Sequence, residues 1–165
     1  MDKTALLIID AQQEYFAPIG KVVLPDGPKA VARIAETLRW ARARRMPIFH
    51  IVHESRRPGA ATFVPGSPAL AIHDAVTPAA GEPVITKHLP GSFTNTPLES
   101  ELREAAHRGF KVTLLSDATA AMDVKGPDGA IIPHDQVHRT HLGSLNGFLA
   151  EVKRTAEVIG AWTGA

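Results

Sequence analysis

The 165-residue chain contains no cysteine. Disulfides and thiolate metal sites are therefore excluded within it, and with no disulfide framework the sequence carries no sign of an oxidising compartment, so the cytoplasm is the default location. Long apolar runs are also missing. None approaches the roughly 20 residues that a bilayer span requires, and the apolar stretch in the opening MDKTALLIID is too short, ending at Asp10, to act as a secretory signal. No membrane partner is expected. Neither sign of charge is in excess, with 18 Lys+Arg against 17 Asp+Glu. The one basic cluster, Arg39 to Arg45, falls in a helical pattern and has no aromatic or glycine-rich motif beside it. It reads as a solvated helix face rather than a nucleic-acid surface. Internal repeats and low-complexity tracts are absent.

What is present suits one globular domain spanning residues 1–165, because a 44% apolar share supplies a single well-covered core. The run Ala5-Leu-Leu-Ile-Ile9 is wholly apolar and stops at Asp10, as a central parallel strand buried on both faces would. Asp26-Gly27-Pro28 offers a helix start, and Val31, Ile34, Leu38 and Ala41 recur at helical spacing until Met46-Pro47. Pro47 to His53 reads as a second strand, followed by an irregular Pro- and Gly-rich stretch from Arg56 to Pro68 whose length hints at function. Pro83 to Lys87 makes a short third strand. Thr96-Pro97-Leu98-Glu99 is a capping box with proline at the first helical position, opening a helix that carries Leu98, Leu102 and Ala105 and ends at Gly109. Lys111 to Asp117 is a fourth strand. A Gly/Pro loop from Lys125 to Pro133 leads into a C-terminal helical region carrying Val137, Leu142, Leu145, Val152 and Ile159. Alternating strands and helices predict a doubly wound, mostly parallel Rossmann-like α/β sheet with helices on both faces. Ligands in such folds bind at the carboxyl ends of the strands, where Asp10, Lys87 and Asp117 fall.

Several separated motifs agree in order and spacing with one family: Ile8-Ile-Asp-Ala-Gln12, Phe63-Val-Pro-Gly-Ser67, Glu82-Pro-Val-Ile-Thr-Lys87, Ser92-Phe93, Arg108-Gly-Phe-Lys-Val112 and Ser116-Asp-Ala-Thr119. No single motif is specific. Together they cover nearly the whole chain, which resembles the isochorismatase-like (cysteine hydrolase) superfamily. In that family an Asp ending the first strand, a Lys ending the third and a Cys opening a later helix form the catalytic set. The resemblance places Asp10 and Lys87 in the first two roles. The third has no counterpart, because the chain runs directly from Leu98-Glu-Ser-Glu-Leu-Arg103 to Glu104-Ala-Ala-His-Arg-Gly-Phe110. About two dozen residues are missing there, close to one strand-plus-helix repeat of a βαβ unit. The fold is thus expected to be short of one central strand and its helix.

The resemblance implies hydrolysis of a small soluble metabolite, at an amide or a vinyl-ether bond, with Asp10 as general base or acid and Lys87 as its electrostatic partner. Family members that lack the Cys cleave a vinyl ether, the Asp protonating the enol carbon. Asp10 would do so near neutrality if desolvation outweighs the Lys⁺ beside it. The alternative is a catalytically inactive member that binds a small molecule or a partner subunit. Taken alone, Asp10 reads equally as a strand-end carboxylate on turn amides and Lys87 as a snorkelling surface side chain. Asp117 reads as a structural cap. Phe16 and Phe93 are candidate walls of the substrate pocket, with core packing an equal account. His50 and His53, three apart on a strand, face opposite ways. His134, His138 and His141 share a helical face that lacks a neighbouring Glu motif. No metal and no organic cofactor are expected. A homo-oligomer is expected, since family members commonly associate and a shortened sheet gains from burying apolar surface. The loops that choose a substrate, Arg56 to Pro68 and Lys125 to Pro133, carry no readable code.

Overall fold

The computed structural model describes residues 4–88, 111–147 and 150–162. The first half is a three-stranded parallel sheet in which β1 (Leu6–Ile9), β2 (Ile48–His53) and β3 (Val84–Lys87) lie side by side in that order. Helix α1 (Gly27–Ala43) crosses between β1 and β2. Pro28 sits in its first turn, where a missing N–H costs nothing. Asp26 precedes it, and its carboxylate pairs with Lys29 at 2.8 Å rather than capping the helix. Val31, Ala35, Leu38 and Ala41 then form one stripe at helical spacing, buried against Ile8 of β1, Ile48 of β2 and Val76. At the far end Arg45 turns into the left-handed region, φ 53°, and the Met46 amide donates to the Ala41 carbonyl. This closes the helix just before Pro47, as the sequence predicts. In the basic cluster, Arg44 stacks on Trp40 at 4.8 Å, and Arg39, Arg44 and Arg45 are exposed.

The second half is a separate two-stranded parallel sheet of β4 (Thr113–Leu115) and β7 (Glu151–Lys153). A short antiparallel hairpin of β5 (Val124–Lys125) and β6 (Ile131–Ile132) follows β4, and helices α2 (His134–Leu145) and α3 (Thr155–Ala161) complete the chain. Helix α1 joins the halves: Trp40 meets Trp162 edge-on at 5.3 Å, and Arg33 lies 3.8 Å from Asp117. Asp117 in turn accepts from the Thr155 amide and hydroxyl, both at 2.8 Å, tying the end of β4 to the start of α3. Asp117 is thus structural, but it ties down the start of α3 rather than the turn after its own strand. No helix among the described residues is long and apolar enough to cross a membrane.

Among the described residues β1 pairs with β2 alone, and Ile9 is 41% exposed. Two expectations need correction. Val152 lies in a strand rather than a helix, because Asn146 ends α2 in an extended conformation and its side chain takes the Val152 amide. The loop from Lys125 to Pro133 contains the β5–β6 hairpin, closed around Gly129 at φ 86°. The helix expected from Thr96 to Gly109 lies outside the described residues.

On the sheet, Glu82 is a polar hub. Its carboxylate takes two 2.8 Å bonds from Arg42 and one at 2.9 Å from the Ala79 amide, and lies 3.0 Å from Nε2 of the buried His50. The Arg42 guanidinium, by hydrogen bonding, holds the Glu82 carboxyl well down, at about 2 against an ordinary 4.5. Glu82→Ala strips all these donors of their acceptor and is expected to cost about 2 kcal/mol, discounted for the partly open Arg42. A depressed carboxyl stabilises above its unfolded value. The difference between wild type and variant in urea melts should therefore hold above pH 4.5 and vanish as pH falls toward 2.

Candidate active site

β1, β2 and β3 are in register, Ile9 beside Ile51 and His53 beside Lys87, so their carboxyl ends converge. Asp10 leaves β1 with its amide still bonded to the Ile51 carbonyl at 2.8 Å and its backbone in the left-handed region, φ 57°. That conformation is costly for a non-glycine residue, and it turns the chain out of the sheet at once. The Asp10 carboxylate meets the Lys87 ammonium at 2.6 Å through Oδ2. Lys87, with 3% of its side chain exposed, is not a snorkelling surface residue. The second oxygen, Oδ1, is buried and without a hydrogen-bond partner among the described residues. Burial pushes the Asp10 carboxyl above its ordinary 3.8, against the pull of Lys87 and His53. The structure thus brings Asp10 and Lys87 together, and desolvation wins over the ion pair.

Around this pair the chain builds a closed wall. Gln12 is fully buried and clamps β2 from both sides, its Oε1 accepting the His53 amide at 2.7 Å and its Nε2 donating to the His53 carbonyl at 3.0 Å and the Leu70 carbonyl at 2.8 Å. Glu14, also buried, accepts the amides of Lys21 at 3.0 Å and Phe63 at 2.9 Å. Phe63, like Asp10 and Arg45, is a left-handed non-glycine residue, φ 53°, and its ring lies 5.3 Å from that of Tyr15 and 4.9 Å from that of His53. Burial, reinforced by the charges of Asp10 and Glu14, pushes the Tyr15 hydroxyl up to about 12, so it stays a neutral donor. Beyond Phe63, a cleft of about 540 Å³ opens along Glu54, Arg56, Arg57 and Val64. The Glu54 amide anchors its near edge to the Lys87 carbonyl at 3.0 Å.

Phe16 belongs to the core face. It packs against the α1 cluster, its ring 4.4 Å from that of His73, so the structure gives it the core-packing role weighed beside the pocket one. Phe93 lies outside the described residues. The three helix histidines are taken up one by one. His134 Nδ1 lies 2.9 Å from Asp123 Oδ1, His138 Nε2 lies 2.8 Å from Thr119 Oγ1, and His141 Nδ1 lies 2.9 Å from the Val137 carbonyl. No group of three metal-ligating side chains is found among the described residues. Gln12, Tyr15, His53 and Phe63 were not assigned to the site from sequence. For His53 there was a signal: it ends the middle strand of three whose neighbours end on Asp10 and Lys87.

Residues 4–106 match the family model of the isochorismatase domain. The uncharacterized isochorismatase family protein YddQ of Bacillus subtilis is 34% identical, covering 92% of this chain and 96% of its own. The chain belongs to the isochorismatase family. The secreted isochorismatase effector Isc1 of Verticillium dahliae is 35% identical over 77% of each chain. The crystal structure of a putative isochorismatase hydrolase from Oleispira antarctica superposes with a TM-score of 0.88 at 29% identity, covering 97% of this chain and 98% of that one. The YddQ alignment has 175 positions, more than the chain has residues; 92% of 165 supplies about 152, so about 23 positions face no residue here. The Isc1 alignment has 150 positions, of which 77% of 165, about 127, are filled, again leaving about 23. Two relatives thus agree on a shortfall of about 23 positions.

The Gln12 clamp fixes where His53 stands relative to Asp10. Gln12→Ala leaves the His53 amide and two carbonyls without partners and is expected to destabilise the fold by about 2–4 kcal/mol. Amide exchange at His53 should accelerate well beyond that at Leu38 in the core; equal acceleration at both would show no local clamp.

Proposed function

We propose that this isochorismatase-family chain hydrolyses a vinyl ether in a small soluble metabolite without a cysteine nucleophile, Asp10 acting as general acid and Lys87 as its electrostatic partner. The observation that carries this reading is the state of Asp10. One oxygen is held on Lys87, the other is buried and open, and burial raises its affinity for a proton. The covalent route that the family resemblance implies for amide cleavage uses a Cys thiolate, and the chain has no cysteine.

In this chemistry protonated Asp10 delivers its proton to the terminal enol carbon, forming a C–H bond and an oxocarbenium ion. Water adds to that cation, and the resulting hemiketal breaks its C–O bond to a ketone and an alcohol. Lys87 holds the carboxylate left behind in place, so the acid keeps its aim through the cycle. The reaction calls for neither metal nor organic cofactor. The same reading places the protein in the cytoplasm as a homo-oligomer whose partner is a small-molecule substrate rather than nucleic acid or membrane.

A second reading, a catalytically silent member that binds a small molecule or a partner subunit, is favoured by the division of the described strands among three small sheets. The two part on turnover of isochorismate, the vinyl ether that gives the family its name. An active enzyme should lose at least about 100-fold in kcat on Asp10→Asn. Its rate should fall as pH rises through the raised Asp10 value, and Lys87→Met should move that limb to higher pH by removing the partner that opposes burial. A silent member shows no turnover, yet a rise in Tm with ligand. Activity that iodoacetamide abolishes comes from a contaminant, since this chain has no thiol to alkylate.

A further inference from the structure

We infer that His53 is a second catalytic residue of this site, the base that activates the attacking water opposite the Asp10 acid. The inference rests on the vinyl-ether reading above and completes it, because that chemistry needs a group to take the water's proton.

Position argues first. His53 ends the middle strand, between the strand carrying Asp10 and the strand carrying Lys87. Directly paired residues of neighbouring strands share a face, so the His53 and Lys87 side chains leave the sheet on the same side. To meet Asp10 at 2.6 Å, Lys87 must reach past the end of β2, which His53 occupies. The His53 backbone is fixed by Gln12 at both its amide and its carbonyl, and its ring stands edge-on to Phe63. Two strained backbones, at Asp10 and Phe63, are thus spent on aiming groups at one spot.

Hydrogen bonding argues second. Nδ1 of His53 is buried with no partner among the described residues, as is Oδ1 of Asp10. A buried polar atom left unpaired destabilises the fold. Two of them beside one ion pair mark a place built for something that supplies the missing bonds, which a water and a substrate oxygen would do.

The charged surroundings set the protonation state. Facing His53 are Asp10 from β1, Lys87 and His88 from the end of β3, Glu54 next in the chain, and Tyr15 and Glu14 behind Phe63. Burial pulls the imidazole below its ordinary 6.5, with Lys87 and His88 adding to the effect and Asp10 opposing it. The same burial raises Asp10, so both shifts favour one state, a protonated acid beside a neutral base.

The proton count closes. Asp10 gives its proton to the enol carbon; His53 takes one proton from water as the water oxygen bonds to the oxocarbenium carbon. On collapse, the hemiketal hydroxyl returns a proton to the Asp10 carboxylate, and imidazolium protonates the departing alkoxide. One vinyl ether and one water become one ketone and one alcohol, with both residues restored.

The test is the pH profile of isochorismate hydrolysis by wild type, His53→Gln and Asp10→Asn. The inference expects His53→Gln to lose about 100-fold in kcat with KM unchanged. It also expects the acid limb of the wild-type bell to disappear while the alkaline limb stays. If His53→Gln is poorly folded, His53→Asn, whose amide falls near the Nδ1 position, takes its place. A His53 variant that keeps the acid limb, whatever its rate, overturns the inference and leaves the Asp10 reading standing. Full activity in Asp10→Asn, or no turnover in the wild type, overturns both.

Discussion

A lysine ammonium buried to 3% exposure cannot stand without a counter-charge, and here the counter-charge is Asp10 at 2.6 Å. An unpaired buried ion would cost several kcal/mol, so the pair dictates much of what surrounds it. Asp10 must leave the sheet immediately to meet Lys87, hence its left-handed backbone. The three strands must end in step, hence the unbroken register from Leu6 beside Ile48 to His53 beside Lys87. The segment after Asp10 is then pinned beside the pair by Gln12 and Glu14, whose side chains bond backbone amides and carbonyls.

β1, β2 and β3, with α1 across them, form one layer, and the described partners of Asp10 and Lys87 come from residues 6 to 88. The cysteine that the family resemblance implies has no counterpart in this chain. On the proposed reading the site works by acid–base chemistry, and for that an elevated carboxyl is an asset.

Much of this was legible in the sequence, because it is written in local patterns. The apolar run ending at Asp10, the α1 stripe from Val31 to Ala41 and the Lys87 strand end each follow from periodicity and termination. What could not be read was long-range. The strand around Val152 exists because β4 is available to pair with it. His53 was visible as a histidine on a strand; its membership of the site depends on register across three strands. Gln12 looked like part of a motif, and its function is a clamp to residues 41 and 58 positions away.

The account stands on burial overcoming the ion pair at Asp10, and a site-resolved carboxyl-carbon NMR titration of Asp10 in the wild-type protein measures that balance directly. The account predicts a midpoint above the ordinary 3.8. A midpoint at or below 3.8 would show Lys87 dominating a permanently ionised carboxylate, and Asp10 could not then serve as the acid.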